Sequence, residues 1–479
     1  MKLLLSYPPV NEEKYDKTRD LGVSPPINLL ALAAYLREKK SSVKIKILDG
    51  CHLSLEHIKK EITSWKPDLV GFNCDLTNYR NMIELAKFSK NNKAHVILGG
   101  HYSSFLSNNI LKNHKEVDAV VYDDGEESLL HYIKYLEGKI TLNKVPNLIY
   151  REKDKIIHNP VKCPEIKTLP TPAYDLVDFK PYFKKQQEIF GKNFRMMQFY
   201  SQKGCVNIPH CVFCGRFEGG IRYRSPEAYS KEILYYIKKY NLTEIWDRSD
   251  SLLQSEAWFK KAHDFLIIGK NNPFLTKKVT FKSYARADQL LNDEIIRCMK
   301  DLNFRMIFIG YEAGDNRILK NINKKETITQ YLKATKNCLT KGIDVDGSFI
   351  VGLPGENKKS LQNHINFVKR LIKLGFRKIR VNRVLVLPGT PLFSKVIETF
   401  PELKDIDVYD NNAMQRKLFQ TDLYDLKEFG NSVDIFIDQI DRTADEMREL
   451  VLEAGGSAEG YGYGAKKSFI FGGEIKKKK

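Results

Sequence analysis

The feature that most constrains the fold is a regular alternation of strand-like and helix-like segments along the first 145 residues. Short apolar runs such as KLLLSY and DLVGFNC indicate buried strands, and longer amphipathic segments such as PPINLLALAAYLREKK indicate helices. Strands that alternate with helices predict a parallel sheet with helices packed on its faces. We therefore expect a doubly wound, Rossmann-like α/β domain over residues 1–145, with its ligand beyond the carboxyl ends of the strands.

The alternation is interrupted over residues 146–190 and then resumes. The segment NLIYREKDKIIHNP is typical of a β-hairpin, and the proline-broken LPTPAYDLVDFKPYF after it indicates a linker. From residue 191 to 400, five or six further strand–helix units predict a partial or full (β/α) TIM-type barrel with its site at the carboxyl ends of the strands. Residues 401–479 are expected to form a C-terminal extension that ends in a low-complexity basic tail.

Three of the eight cysteines lie together in the segment GCVNIPHCVFCG, at positions Cys205, Cys211 and Cys214. A structural zinc site takes four protein ligands, and no fourth Cys or His follows at the spacing of a zinc finger. Three thiolates on a [4Fe-4S] cluster leave one iron open for chemistry, which favours a catalytic cluster. A non-enzymatic zinc-binding module remains the alternative at this point.

The motifs around these cysteines resemble those of the cobalamin-dependent radical S-adenosylmethionine (SAM) enzymes. The segments RYRSPEAYSKEI, YEAGDNRILKNINKKET, GSFIVGLPGE and VLVLPGTPLF follow the cysteines in the order of that family. The segments PPINLLALAAYLRE, ILGGHYSS and VDAVVYDDGEESL are similar to its N-terminal cobalamin half. Two departures are a spacing of five residues between the first two cysteines, where the family usually has three, and the lack of an Asp-x-His-x-x-Gly motif in LDGCHLSLE.

The resemblance implies that the three thiolates hold a [4Fe-4S] cluster whose fourth iron binds SAM. It places Glu312 near the ribose and Arg286 at the SAM carboxylate, although either could instead form a structural ion pair. Phe213 would cover the adenine unless it is an ordinary core aromatic. The full set of predicted SAM contacts is Phe213, Ser249, Asp250, Arg286, Glu312, Gly352 and Pro354.

In the first domain, the resemblance implies cobalamin contacts from the loops that follow successive strands. His101 would reach the corrin or the cobalt, although such a histidine more often forms hydrogen bonds within its loop. The predicted cobalamin contacts are Pro9, Thr77, Asn78, Gly99, Gly100, His101, Gly125, Glu126 and Glu127.

For function, the resemblance implies reductive cleavage of SAM to a 5′-deoxyadenosyl radical and methyl transfer from methylcobalamin to an unactivated carbon. The acceptor would be a small metabolite, natural product or peptide, and no general acid or base is nominated. One alternative is a cyclase or rearrangement enzyme that uses cobalamin without methyl transfer. The other is an RNA-modifying radical SAM enzyme with a non-functional cobalamin domain.

The composition adds expectations about partners and location. The formal charge of +19 is spread along the chain without interleaved aromatics, which favours a solvated lysine surface, although a nucleic-acid partner is not excluded. No stretch has the length of a membrane span or the pattern of a secretion signal, so we expect a cytoplasmic monomer without a membrane partner. An external electron donor of the flavodoxin or ferredoxin type is implied by the resemblance.

Overall fold

The computed structural model describes residues 1–10, 22–40, 42–217, 220–269, 272–405 and 410–460. The chain divides into two compact units, which are described separately below. The first contains Met1–Met196, and the second contains Met197–Lys404 and the described residues from 410 onwards. The last 19 residues, which belong to the predicted basic tail, lie outside the described residues.

The first unit is built on one seven-stranded sheet flanked by helices. Its strands are β1 (Lys2–Tyr7), β2 (Lys44–Asp49), β3 (Leu69–Asn73), β4 (His95–Gly99), β5 (Ala119–Val121), β6 (Leu148–Glu152) and β7 (Lys155–His158). Its α-helices are α1 (Ile27–Lys39), α2 (Leu55–Trp65), α3 (Tyr79–Asn91), α4 (His101–Phe105), α5 (Ser107–Asn113), α6 (Glu126–Leu136) and α7 (Lys180–Phe190).

The strand order of this sheet is β2-β1-β3-β4-β5-β6-β7, and the first five strands run parallel. Strands β6 and β7 are antiparallel and extend the sheet beyond β5. The order reverses between β1 and β3, because the chain first adds β2 on one side of β1 and then adds β3 on the other. In doubly wound sheets, ligands bind in the crevice at this reversal, outside the carboxyl ends of the strands.

The second unit contains a seven-stranded sheet and a separate two-stranded antiparallel sheet, which is formed by its second and third strands. Its strands are β8 (Met196–Phe199), β9 (Gln202–Lys203), β10 (Arg222–Tyr223), β11 (Glu244–Asp247), β12 (Thr280–Ala285), β13 (Phe304–Glu312), β14 (Asp344–Val351), β15 (Lys378–Arg383) and β16 (Ser457–Glu459). Its α-helices are α8 (Pro226–Tyr240), α9 (Glu256–Leu266), α10 (Asp293–Asp301), α11 (Asn316–Asn321), α12 (Ile328–Thr340), α13 (Lys358–Lys373), α14 (Pro391–Thr399), α15 (Asn411–Leu418) and α16 (Val433–Glu453).

The sheet order is β8-β11-β12-β13-β14-β15-β16, with β8 and β16 at the two edges, so within the described residues the barrel is partial. Side chains alternate between its faces. On one face Tyr311 packs against Tyr331 of α12 with ring centroids 5.1 Å apart, and Phe349 packs against Phe367 of α13 at 5.9 Å. The other face lines the barrel interior and carries polar and aromatic side chains.

An ion-pair cluster occupies the amino-terminal end of this interior. The carboxylate of Glu244 is fully buried and lies 2.9 Å from the Lys282 ammonium and 2.6 Å from the Arg305 guanidinium. The Lys282 ammonium also lies 4.0 Å from the centre of the Trp246 ring. These contacts fill the amino-terminal end of the interior. A functional site is therefore expected at the carboxyl ends of the strands.

Candidate active site

The three-cysteine loop begins directly after β9 and is held at its start by the loop that follows β11. The Gly204 amide donates to Oδ2 of Asp250 at 2.8 Å, and the Val206 amide donates to Oε1 of Gln254 at 2.6 Å. Gly204 has a φ of +102°, and a Cβ atom there would lie 2.1 Å from the carbonyl oxygen of Gly220. Only glycine therefore permits this entry into the loop.

The far end of the loop is tied to the segment after α11. The Val212 amide donates to the Ile322 carbonyl at 3.1 Å, and the Asn323 side-chain amide donates to the carbonyls of Pro209 and His210. Asn207 donates through Nδ2 to Sγ of Cys211 at 3.2 Å and to the Asn323 carbonyl at 2.8 Å. The loop is thus fastened to the segment after β11 at its start and to the segment after α11 further along.

The thiols of Cys205, Cys211 and Cys214 are partly buried on this loop and interact electrostatically. Burial raises the pKa of Cys211 to about 11 and raises that of Cys214 as well. Within the described part of the chain, the three sulfur atoms do not all lie within 4.8 Å of one another.

A buried charged network lies beside Cys211. The Lys324 ammonium is 3.1 Å from Glu312 and 3.5 Å from Glu326. Burial lowers the pKa of Lys324, but the two carboxylates outweigh burial, and its pKa is raised overall. Lys324 therefore remains charged in the interior, where removal of either partner would be costly.

Glu312 reaches this network through a distortion of β13. The pairing of β13 with β14 shifts register between Gly310 and Glu312, and Glu312 has a φ of +58°, which is rare for a residue with a side chain. A Cβ atom at Gly310 would lie 2.3 Å from Oε1 of Glu312 and 3.2 Å from the Lys324 ammonium. Gly310 therefore leaves the space that the ion pair occupies.

Arg286 joins the same network from the end of β12. Its guanidinium lies 3.0 Å from Asp288 and 3.7 Å from Glu326, and it donates to the Lys324 carbonyl at 3.3 Å. The predicted SAM contacts Arg286 and Glu312 are thus brought together by the fold, with Lys324 and Glu326 between them. The charge of Arg286 is already balanced by Asp288, so this arginine also has the structural role that the sequence left open.

The remaining predicted SAM contacts lie at neighbouring strand ends. Oγ of Ser249 accepts from the Ser201 amide at 2.7 Å, and Asp250 pairs with Arg216 as well as with the Gly204 amide. Ser249 therefore supports the segment before β9, and Asp250 supports the start of the cysteine loop. Phe213 is partly buried within that loop.

Gly352 and Pro354 follow β14 in a turn that is held from several sides. The Gly352 amide donates to Oε2 of Glu356 at 2.8 Å, and the Gly352 carbonyl accepts from the Tyr424 hydroxyl at 2.8 Å. The Pro354 carbonyl accepts from the Asn321 side chain at 3.3 Å. The φ of Gly352 is +86°, and a Cβ atom there would meet Ile440, Phe419 and Val384, so its glycine character serves packing against the C-terminal helices.

In the first unit, the loop after β3 is organised by a carboxylate that the sequence analysis did not single out. Asp75 accepts from the Tyr7 hydroxyl at 2.6 Å and from the Thr77 hydroxyl at 2.6 Å, and its own amide donates to Asn78 at 2.9 Å. Asn78 is fully buried and also donates to the Asn73 carbonyl. The side chains of Thr77 and Asn78 therefore shape the loop at the β1–β3 reversal.

At the end of β4, Gly99 is the last strand residue, Gly100 forms the turn and His101 begins α4. A Cβ atom at Gly99 would have no atom within 4 Å, whereas at Gly100, which has a φ of +100°, it would lie 2.4 Å from Asn73. Gly100 is thus required by the backbone, and Gly99 borders open space at the end of its strand. His101 is exposed at the start of α4.

The other predicted cobalamin contacts lie at adjacent strand ends. The Pro9 carbonyl after β1 accepts from Asn81 at 3.1 Å. Gly125 lies against Leu32, Glu126 is buried, and Glu127 forms an ion pair with Lys162 at 2.7 Å. His52, in the place of a possible motif histidine, contacts the Gly22 carbonyl at 2.8 Å and packs edge-on against Tyr182.

Comparison with known proteins identifies both units. Residues 19–133 match the B12 binding domain, and residues 199–368 match the Radical SAM superfamily. This chain is a radical SAM protein with an N-terminal B12-binding domain. The family and the fold class predicted from the sequence are confirmed, together with the two cofactor classes that these domains take, cobalamin and SAM.

Two curated relatives and one solved structure extend this result. The radical SAM protein is 27% identical over 380 residues to the uncharacterized methyltransferase PH0819 of Pyrococcus horikoshii, with 78% of each chain covered. It is 23% identical over 372 residues to an anaerobic magnesium-protoporphyrin IX monomethyl ester cyclase of Rubrivivax gelatinosus, covering 71% of this chain and 61% of the relative.

The solved structure is the cobalamin-dependent SAM radical enzyme OxsB with aqua-cobalamin bound, which superimposes with a TM-score of 0.70 at 17% identity. The match covers 86% of this chain and 63% of OxsB, so the chain spans less than two thirds of that structure. At this identity the likeness establishes the fold.

Among the described helices, none combines the length and the apolar character that crossing a bilayer requires.

The residues of the radical SAM unit fit a bound polar cofactor. Three buried side chains near the cysteine loop carry atoms without a hydrogen-bond partner among the described residues, namely Asn207 Oδ1, Glu326 Oε2 and both amide atoms of Gln202. Buried polar atoms are normally paired, so such a concentration indicates a missing polar ligand.

Sequence reasoning did not single out Asn207, Gln202, Lys324 or Glu326. Only the run NKKET hinted at the last two.

The buried network makes a prediction that compares neighbouring lysines. Replacement of Lys324 by Met should lower the free energy of unfolding of the second unit by about 3–5 kcal/mol, because it leaves buried carboxylates without their cation. The exposed neighbour Lys325 is the matched control, and Lys325→Met should cost about 0.5 kcal/mol or less. Denaturant unfolding followed by circular dichroism measures both, and equal losses would contradict the assignment.

Proposed function

We propose that this chain is a cobalamin-dependent radical SAM methyltransferase that acts on an unactivated carbon of a small metabolite, natural product or peptide. When bound, the cofactors supply reductive cleavage of SAM to a 5′-deoxyadenosyl radical and a transferable methyl group. The observation that carries the proposal is the three-thiol loop fastened beside a buried charged network in a chain with both family domains. The named methyltransferase relative supports the reaction class.

The chain's own residues have distinct parts in this scheme. Cys205, Cys211 and Cys214 are the proposed ligands of the [4Fe-4S] cluster. Glu312 and Glu326 offer carboxylate oxygens to the SAM ammonium. Oε2 of Glu326 lies in ion-pair range of Lys324 and Arg286 but accepts no hydrogen bond from the described residues, so it is suited to accept one from the ammonium. Lys324 and Arg286 hold these carboxylates in place, and their burial excludes water from the neighbourhood of the thiols.

Gly99 is the proposed corrin-facing position of the first unit, since the space beside it admits a flat macrocycle. Thr77 and Asn78 shape the adjoining loop instead of offering free side chains. A small one-electron donor protein of the flavodoxin or ferredoxin type is the proposed reductant.

A cobalamin-using cyclase is the second candidate, favoured by the similarity to the magnesium-protoporphyrin IX monomethyl ester cyclase. The two candidates differ in whether the SAM methyl group is transferred to the corrinoid. With isotopically labelled SAM, transfer of the labelled methyl to bound cobalamin supports the methyltransferase. Cleavage of SAM without any transfer to cobalamin supports the cyclase.

The cluster assignment predicts a loss that is specific to three of the eight cysteines. After anaerobic reconstitution, Cys205→Ala, Cys211→Ala and Cys214→Ala should each lose most bound iron and sulfide and all detectable formation of 5′-deoxyadenosine, because a ligand is missing. Cys298→Ala, in helix α10, is the control and should retain both. Zinc in stoichiometric amount, or unchanged iron in the three variants, would refute the proposal.

The corrin assignment predicts an effect graded by side-chain size at one position. Gly99→Ala should leave cobalamin affinity within about twofold, whereas Gly99→Leu should weaken it at least tenfold, because the larger side chain fills the space reserved for the macrocycle. Since no atom lies near this Cβ position, thermal unfolding and iron content should stay unchanged. Cobalamin titration by absorbance measures the affinity, and tight binding by Gly99→Leu would place the corrin elsewhere.

A further inference from the structure

The barrel interior of the second unit contains a cavity of about 350 Å³ that neither the predicted SAM contacts nor the cysteine loop occupies. It is lined by residues at alternating positions on adjacent strands, among them Tyr284, Phe308, Asp346, Ser348, Arg380 and Asn382. The strand register places Tyr284 beside Phe308 and Phe308 beside Asp346. A cavity of this size suits a small molecule and is too small for a folded peptide or an RNA helix.

One wall of the cavity is aromatic and rigid. The rings of Tyr284 and Phe308 lie 4.8 Å apart at 26°, and Trp246 lies 5.8 Å from Phe308 at 20°. The Arg248 guanidinium donates to the Tyr284 hydroxyl at 2.6 Å and lies 4.4 Å from the centre of the Trp246 ring. Rings held in this way offer a flat surface at little cost in conformational entropy.

The polar part of the lining comes from the neighbouring strands β14 and β15. Arg380 forms two hydrogen bonds to Asp346, at 3.1 and 3.0 Å, which fixes the plane of its guanidinium. The same guanidinium lies 5.1 Å from the centre of the Phe308 ring. Ser348 adds a hydroxyl group toward the carboxyl ends of the strands. An occupant therefore meets both aromatic rings and hydrogen-bonding groups, which lie on neighbouring strands.

We propose that this cavity is the substrate pocket and that it selects a planar aromatic or conjugated small molecule with a polar edge. The inference rests on the proposed function, because it assumes that a substrate enters this barrel. Phe308 and Tyr284 determine the preference for a flat ring, and Arg380 and Ser348 receive the polar edge. The selection narrows the acceptor from any small metabolite or peptide to one chemical class.

The test compares two neutral alcohols of similar shape on the full-length chain. The probes are 2-naphthol, which is flat and aromatic, and decahydro-2-naphthol, which is its saturated counterpart. Dissociation constants are measured by isothermal titration or ligand-observed NMR. The wild-type chain should bind 2-naphthol on the order of threefold to tenfold more tightly. In Phe308→Leu this ratio should fall toward one, because only the Tyr284 ring of the two lining aromatics remains.

Phe281→Leu is the matched control, since Phe281 stacks on Phe304 at 4.7 Å and does not line the cavity. This variant should keep the wild-type ratio. The proposal would be overturned if the wild type bound both probes equally or if Phe308→Leu kept the wild-type ratio. It would also be overturned if the ratio fell as far in Phe281→Leu as in Phe308→Leu. Probe binding needs neither iron nor cobalamin, so failure here is distinguishable from failure of cofactor loading.

An independent contact carries a second inference. Asn207 lies in the five-residue interval between Cys205 and Cys211, is 3% exposed, and donates to Sγ of Cys211 at 3.2 Å. Its second hydrogen bond, to the Asn323 carbonyl, fixes the direction of the amide. A hydrogen bond to a ligating sulfur stabilises negative charge, and this favours the reduced form of a cluster.

The geometry points to Asn207 as a positioning residue that raises the reduction potential of the proposed cluster through Cys211. The longer interval between Cys205 and Cys211 thus contains the residue that donates a hydrogen bond to the Cys211 sulfur. This inference also rests on the proposed function. Its readout is the midpoint potential, which is measured by a redox titration followed by electron paramagnetic resonance on reconstituted protein with confirmed iron and sulfide content.

Asn207→Ala and Asn207→Asp should both shift the midpoint to lower potential, because neither can donate to the sulfur. Asn323→Ala is the control, since Asn323 fastens the same loop through the carbonyls of Pro209 and His210. Its midpoint should stay at the wild-type value. Three results would overturn this role for Asn207. The first is an equal shift of the midpoint in Asn323→Ala, and the second is no shift in the Asn207 variants. The third is loss of iron in both Asn207 variants while Asn323→Ala retains it. Failure of the wild-type protein to bind iron on reconstitution would instead refute the proposed cluster itself.

Discussion

The buried ammonium of Lys324 is the interaction on which the arrangement of the radical SAM unit depends. It lies between Glu312 and Glu326, next to Cys211, and the neighbouring residue Asn323 fastens the cysteine loop. A charge in the interior is tolerated only with its partners in place, so this network joins the end of β13 to the segment after α11. The loop that bears the thiols is held by the same segment.

In both units, the candidate site lies at the carboxyl ends of parallel strands. Parallel strands bring their carboxyl ends to one edge, where loops from distant parts of the sequence meet. In the first unit this edge holds Tyr7, Asp75 and the glycines after β4. In the second it holds the thiols and the charged network. Glycine appears where backbone or side chains must approach closely, as Gly310 does for the Glu312–Lys324 pair and Gly204 does for the cysteine loop.

Much of the fold could be predicted, because strand and helix periodicity is local. Other features depend on side chains that meet only after folding. Lys324 is one charged residue within NKKET, and nothing in that run separates it from the exposed Lys325. Asp75 and Asn207 are ordinary loop residues until their partners are known. The C-terminal segment showed no clear pattern, yet it supplies α16 and the edge strand β16.

The sequence by itself determined the α/β class, the order of the two domains and the three clustered thiols, because each of these is written in spacing along the chain. The tertiary structure alone decided which charges pair, that Thr77, Asn78 and Gly352 serve their own loops, and that aromatic and polar side chains enclose a cavity. The physical reason is register. Which residues on neighbouring strands face one another follows from the pairing of strands that are remote in sequence, and local patterns do not encode it.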